Sequence, residues 1–253
     1  MDQSQTEQSY GEWRSPVTAT LAVSGLVNFS ELRDSDYGLL WIEQRPFENG
    51  RSVLVLETRG ARRDLTPTPY SVRSRVHEYG GGAYCVAGDG VFFVNAIDQN
   101  IYRCSLLDGC TAITQLTAGD ENVRYADLTW DSGRENLIGV RETHDPVSEP
   151  VNQLVAIDSQ TGAVDAVHSG HDFYSSPRLS SDSERLAFLV WDHPNMPWDG
   201  NQLFVTTLDT TGRIVTETLV AGGIAESVFQ PEWLTPERLV FVSDANGYWN
   251  LYS

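Results

Sequence analysis

Along the chain, short runs of β-branched and aromatic residues alternate with clusters of Gly, Asp, Asn, Ser and Pro. No stretch of a dozen residues holds a helical period, so the pattern predicts a nearly all-β protein. Landmark strands are Leu39 to Glu43, Val91 to Asn95, Asn136 to Val140, Arg185 to Trp191 and Arg238 to Ser243. Their central residues, Ile42, Phe93, Ile138, Phe188 and Phe241, are separated by 51, 45, 50 and 53 positions, a long repeat that suits four-stranded units. Runs such as Leu186 to Trp191 do not alternate cleanly, as expected of strands covered on both faces.

Each unit parses into four strands, A innermost to D outermost. In the second unit these are Gly82 to Ala87, Val91 to Asn95, Asn100 to Ser105 and Ala112 to Thr117, with Gly88-Asp89-Gly90 as the first turn. In the fourth unit they begin with Ser176 to Leu179, Arg185 to Trp191 and Gln202 to Leu208. The predicted fold is a β-propeller of four-stranded antiparallel blades. The blades span approximately 26–70, 79–118, 124–168, 173–221 and, in part, 228–253, about four and a half in all.

In a propeller the B to C and D to A connections share one rim, and the A to B and C to D connections share the other. The long connectors, 44–51, 141–151 and 192–201, are all B to C, whereas the A to B turns are short and carry Gly, Asp, Ser and Glu. One rim is therefore elaborated. The D to A stretch RVHEYGGGAY, Arg75 to Tyr84, opens onto it. Here a cation, an imidazole, a carboxylate and a phenol precede three glycines, which allow a sharp turn or a close approach. Arg75, His77, Glu78 and Tyr79 form a candidate contact site, or else a tight loop whose side chains satisfy buried backbone groups. The same rim carries Trp191, Asp192, His193, Asn195, Met196 and Trp198, rigid and aromatic enough for a lid or docking surface.

Composition narrows the partners. Among 253 residues, 35 acidic side chains face 17 arginines and no lysine, a formal charge of -18 that disfavours nucleic acid and anionic membranes. The amino-terminal MDQSQTEQSYGEW has no basic region followed by an apolar run, and no apolar stretch nears the roughly 20 residues of a membrane span. A cytoplasmic location is expected. Cys85, Cys104 and Cys110 make neither an even disulfide set nor a CxxC pair and are expected to be small core or loop residues in a reducing compartment. His168 and His171 have a zinc-like spacing, but Ser169 and Gly170 between them argue for a loop, and no metal or cofactor is expected.

The stretches RRDLTPTPYSVRS (62–74), RVHEYGGGAY (75–84), LAFLVWDHPNMPWDGNQLFV (186–205) and FQPEWLTPERLVFVSDANGYWNLY (229–252) resemble the amino-terminal propeller of the prolyl oligopeptidase family of serine peptidases, in its acylaminoacyl-peptidase-like branch. The WDHPNMPWD segment is the most specific of these. Turns drift from that family's Ser-Pro-Asp-Gly to SSDSE (180–184) and LTPE (234–237). The resemblance implies about seven blades and a partner α/β-hydrolase domain with a Ser-Asp-His triad, the propeller gating short peptides or acyl-peptides. No Gly-x-Ser-x-Gly nucleophile elbow occurs in the 253 residues, so no catalytic residue is assigned here. The fifth unit stops inside a sheet at Ser253, which predicts a piece of a longer chain. On this reading Arg75 meets a peptide carboxylate, Glu78 an amino terminus and Tyr79 forms a wall; alternatively Arg75 and Glu78 pair locally, or the segment docks on the hydrolase. Self-association stays open. Two competing readings are a free-standing interaction propeller without activity and a five-bladed enzyme acting on sugars. The latter needs paired carboxylates at the channel, which the inner strands do not display to inspection.

Overall fold

The computed structural model describes residues 9–12 and 15–253. Most of the segment read above for targeting signals lies outside them. After a five-residue helix α1 (Ala19–Val23), the chain forms β-sheets in strict succession. The first holds β1 (Asn28–Ser35), β2 (Gly38–Arg45), β3 (Arg51–Thr58) and β4 (Ala61–Asp64). The second holds β5 (Tyr84–Ala87), β6 (Gly90–Val94), β7 (Ile101–Ser105) and β8 (Thr114–Gln115). The third holds β9 (Val123–Asp131), β10 (Asn136–Thr143), β11 (Val151–Asp158) and β12 (Val164–His168). The fourth holds β13 (Phe173–Leu179), β14 (Arg185–Trp191), β15 (Gln202–Leu208) and β16 (Ile214–Gly222). The fifth has three strands, β17 (Val228–Thr235), β18 (Arg238–Ser243) and β19 (Asn250–Tyr252).

All pairings are antiparallel between successive strands, and β5, β9, β13 and β17 pack beside one another in series. This is a β-propeller arrangement of five blades. No described helix is long and apolar enough to cross a membrane. The hydrophobic core lies between blades rather than within one centre. Leu40, Leu54 and Leu56 of the first sheet meet Tyr84 and Phe93 of the second. Phe92 and Ile101 meet Leu128 and Val155, Val140 and Leu154 meet Phe188 and Val190, and Leu189 and Leu203 meet Val228 and Phe241. Second strands are sandwiched on both faces, so β14 is buried at every residue after Arg185, while β16 on the outside is exposed or half-buried throughout. Two apolar surfaces have no described neighbour: Phe29, Leu32 and Leu39 on the first blade, and Phe229, Leu234 and Leu251 on the fifth.

The inner strands carry a repeated irregularity. The register of β1, β9, β13 and β17 against its partner slips at a corresponding point, β17 slipping a second time near its end, and a residue at the shared slip has a left-handed φ: Glu31 at 53°, Asp127 at 54°, Ser176 at 53° and Gln230 at 51°. Such a bulge turns one side chain away from the ladder. Two of those side chains then tie neighbouring blades together. Both carboxylate oxygens of Glu31 accept from Ala83 N–H, at 3.0 and 2.9 Å. Asp127 accepts Gly82 N–H at 2.5 Å and Ser176 N–H at 2.8 Å, while its own N–H donates to Gly82 O at 2.7 Å. The inner strands thus do carry two carboxylates that inspection of the sequence did not single out, and both are engaged by backbone N–H groups.

The cysteine expectation holds for burial, all three lying in the core, and fails for pairing. Cys104 and Cys110 form a disulfide across the tight connector between β7 and β8, with Cα atoms 4.8 Å apart, and Cys85 is left buried and free. Three cysteines by count hid a pair and a remainder, because pairing depends on the turn that brings the two together.

Candidate functional site

The elaborated rim gathers the 64–84 connector, the 169–172 connector and the 192–201 loop. In the first of these, residues 76–79 form a turn in which His77 and Glu78 are both left-handed, φ 55° and 67°. Two consecutive non-glycine residues there are held by their surroundings at a cost of about 1–2 kcal/mol each. His77 N–H donates to the buried Glu142 Oε2 at 2.8 Å, and Arg124 Nη1 bridges Arg75 O, Glu78 Oε1 and Glu142 Oε1 at 2.8, 2.7 and 3.3 Å. Glu78 therefore pairs with Arg124 and not with Arg75, which removes the alternative of a local Arg75–Glu78 pair. That guanidinium holds the exposed Glu78 carboxyl below the usual range. The Arg75 side chain is exposed and makes no ion pair among the described residues.

The following glycines are required by space. Gly80 has φ +96°, and a Cβ on Gly81 would lie 2.9 Å from Asp127 Oδ1 and 3.0 Å from Ala126 Cβ. The loop is thereby pressed against the third blade, with His77 turned toward the fourth.

His77 is the pivot of the site. Its ring sits edge-on to Phe173 and to Trp191, 5.3 Å from each centroid, while Phe173 and Trp191 stack on each other at 5.3 Å. Burial lowers the His77 pKa, against the opposing influence of Glu142 and Asp127. The 192–201 loop is fastened by a crossed pair of carboxylates. Asp172 N–H donates to Asp192 Oδ1 at 2.7 Å, and His193 N–H and Nδ1 each approach Asp172 Oδ2 at 2.9 Å. Asp192 Oδ2 also holds His171 Nδ1 at 2.8 Å. Further along, Asn195 Nδ2 donates to Ile224 O at 3.0 Å, Met196 N–H to Asp199 Oδ2 at 3.1 Å, and Ser227 Oγ–H to Pro197 O at 2.6 Å. Trp198 is left standing out, 62% exposed.

Between these elements opens an apolar cavity of about 540 Å³, lined among others by His77, Tyr79, Trp191, Trp198, Phe229 and Trp249. The structure brings His77 and Tyr79 together with Trp191 and Trp198 here, and leaves Arg75 outside this lining. Sequence inspection missed Phe229 and Trp249 from the fifth blade, as well as Arg124 and Glu142. They lie in or beside strands whose local pattern marks only sheet. The HxxH histidines have other partners: His168 lies between Tyr174 OH and Glu217, and His171 rests on Asp192. The described residues hold no cluster of three or more metal-ligating side chains. Nor does any described serine hydroxyl bond to a histidine; the ring partners are Glu142, Tyr174, Glu217, Asp192 and Asp172. The arrangement can bind and orient an apolar group, but the described residues assemble no nucleophile.

Comparison with known proteins gives the site a context. No protein-family model and no curated protein matches the chain. Among solved structures, a puromycin-hydrolysing peptidase of Mycobacterium tuberculosis matches 98% of this chain at 32% identity and TM-score 0.84, the match covering 40% of that protein. A puromycin hydrolase mutant complexed with PGG matches 96% at 29% identity and TM-score 0.85, again over 40% of its length. A prolyl endopeptidase matches 91% at 13% identity and TM-score 0.63, a likeness of fold alone. The chain spans about 40% of the length of the puromycin-hydrolysing relatives and matches a propeller portion of them. The resemblance to the prolyl oligopeptidase family read from the sequence is thus supported by structure.

Proposed function

We propose that this chain is the non-catalytic, substrate-selecting propeller of a serine peptidase of the prolyl oligopeptidase family, acting with a carboxy-terminal α/β-hydrolase domain of the same protein. The observation that carries the proposal is the coincidence of the 98% match to a puromycin-hydrolysing peptidase with an aromatic cavity on the elaborated rim. The hydrolase would supply acyl transfer through a serine and an oxyanion hole. The propeller would admit short peptides or aminoacyl amides and exclude folded proteins, with His77 and Tyr79 walling the entrance and Trp198 covering it. Arg75 and Glu78 serve on the outer lip, Glu78 held by Arg124 and Arg75 open to a peptide carboxylate or to the hydrolase. The uncovered apolar faces of the first and fifth blades support further blades, about two for a ring within the usual four to eight. A cytoplasmic site of action and the acylaminoacyl branch are part of the same proposal; the chain's charge suits neither nucleic acid nor anionic lipid partners.

The test is kinetic. Trp198→Ala in the full-length protein should raise KM for an aminoacyl amide such as puromycin several-fold, leave kcat nearly unchanged, and leave the melting temperature within the range of ordinary surface changes. Absence of any amide or peptide hydrolysis by the full-length protein would favour the interaction-module reading and overturn this one.

A further inference from the structure

The outer edges of the four complete blades differ in kind. β4 is four residues long, reads Ala-Arg-Arg-Asp and is exposed throughout; β8 has two residues, and β12 has five, Asp165 among them. Short or charged edge strands resist pairing with a strand from another molecule. β16 has neither protection. It runs nine residues, Ile-Val-Thr-Glu-Thr-Leu-Val-Ala-Gly, and is exposed without a break from Val215 to Val220. It is the last strand of its sheet, bonded to β15 on one side and to no described strand on the other. Its single charged side chain, Glu217, is already engaged: Oε2 lies 2.8 Å from His168 Nε2 of the third blade.

Two observations say what pairs with this edge. The first is the symmetry of its sequence. About Glu217 the strand reads nearly alike in both directions, with Thr216 and Thr218, then Val215 and Leu219, then Ile214 and Val220. A two-fold axis through Glu217, normal to the sheet, lays an antiparallel copy alongside so that the members of each pair face one another. Thr–Thr and aliphatic pairs are favourable across strands. The one like-charged pair, Glu217 against its copy, carries a His168 imidazole at each carboxylate. A foreign strand would require no such symmetry.

The second observation is charge. Two chains of formal charge -18 repel wherever their carboxylates meet, so a contact between copies has to fall where charge is sparse. β16 carries one charged side chain in nine residues, whereas β4 carries three in four. A basic partner would find here a single carboxylate that His168 already holds. The regular part of the edge is short, because the ladder with β15 is bulged at Val215 and at Val220 and runs evenly only from Thr216 to Leu219. Bulges bend an edge and limit how far a second strand can follow it, so the pairing is of modest strength.

We infer that β16 is a self-association edge, on which a second copy of this chain lays its own β16 antiparallel across a two-fold axis, joining two four-stranded fourth blades into one continuous sheet. No β16 residue lines the aromatic cavity, and the inference is independent of the peptidase reading.

Sedimentation of the full-length protein between about 1 and about 300 µM tests it, the expected result being a monomer–dimer equilibrium with a dissociation constant of roughly 10–100 µM. The dimer should tighten as NaCl rises from about 0.05 to about 0.5 M, because salt screens the repulsion between two acidic chains. Val215→Glu and Leu219→Glu should each weaken it about ten-fold or more by setting new carboxylates into the contact, and Glu217→Gln should tighten it about two-fold at the lower salt. Val215, Glu217 and Leu219 are exposed, so all three variants should melt within a few degrees of wild type. A monomer at every concentration would leave the edge to a foreign strand and overturn the inference. A dimer untouched by both glutamate substitutions, one that weakens as salt rises, or one that Glu217→Gln abolishes would overturn it equally.

Discussion

Two polar clusters sit within the same few residues of the 75–84 stretch, and they are built to opposite ends. Around Gly82 and Ala83, Glu31 and Asp127 accept the N–H groups of Ala83, Gly82 and Ser176 and join the first three inner strands and the fourth. Around His77, by contrast, a strained turn holds a buried ring whose Nε2 has only Asn152 Oδ1 beside it, in poor hydrogen-bond geometry. Natural folds satisfy buried polar groups almost without exception, so the fully bonded cluster reads as architecture, and the strained one as a segment that the surrounding blades hold in place. Residue type would not have separated them. Both contain a buried carboxylate that accepts a backbone N–H of the same stretch, Asp127 from Gly82 and Glu142 from His77.

The contrast can be broken first at its structural side. Asp127→Ala would leave Gly82 N–H and Ser176 N–H without acceptors, and at about 1–3 kcal/mol for each orphaned group the loss should reach roughly 2–5 kcal/mol. Denaturant unfolding of the full-length protein measures it; a change below about 0.5 kcal/mol would mean that the belt is ornamental.

A smaller effect sharpens the contrast through pH. Burial raises the Glu31 pKa from 4.5 to about 7, so the folded state holds a proton that the unfolded state has released over that window. Its contribution to stability is therefore present below pH 4.5 and is lost as pH rises through 7. His77 has the opposite sign. Its pKa is lowered, the unfolded state takes up the proton first, and stability falls as pH drops below about 6.5. Glu31→Gln should flatten the melting-temperature profile on the neutral side, between pH 5 and 8, and leave the acid-side fall in place. A profile that keeps its wild-type slope from pH 5 to 8 would show that Glu31 is not the group being titrated.

The smallest change is expected at the pivot. His77→Phe keeps the edge-on contacts with Phe173 and Trp191 and gives up only the poorly shaped contact with Asn152, so at pH 7 the stability should stay within about 1 kcal/mol of wild type. It should also remove part of the acid-side fall. A loss as large as that of Asp127→Ala would make His77 a structural residue like those of the belt.

How much of this was legible beforehand follows from the range of the forces involved. β14, β15 and β18 begin and end where the sequence pattern puts them, because apolar runs bounded by turn residues are local signals. The meeting of the His77 loop with Trp191 and Trp198 was legible too, through loop lengths and the phase of the repeat. By contrast, β8 shrinks to Thr114–Gln115 from a longer expected strand, and the bulges fall on Glu31, Asp127, Ser176 and Gln230, of which only the aspartate is of a type that favours a left-handed backbone. The strain at Glu31, Asp127 and Ser176 is offset by bonds to other blades, which no local window contains. The same holds for Arg124, chosen over Arg75 as the partner of Glu78 although it is 46 positions away.

The order of hydrophobic and polar residues determined by itself that the chain is β throughout, that its units recur about every fifty residues, and that one rim is elaborated. Those properties rest on neighbours along the chain and on burial of alternating or doubly covered strands. Which carboxylate meets which N–H and which two of three cysteines join were decided only when the blades closed against one another. Such matches need both partners in place within about 3 Å, and residues fifty positions apart reach that distance only through the tertiary fold.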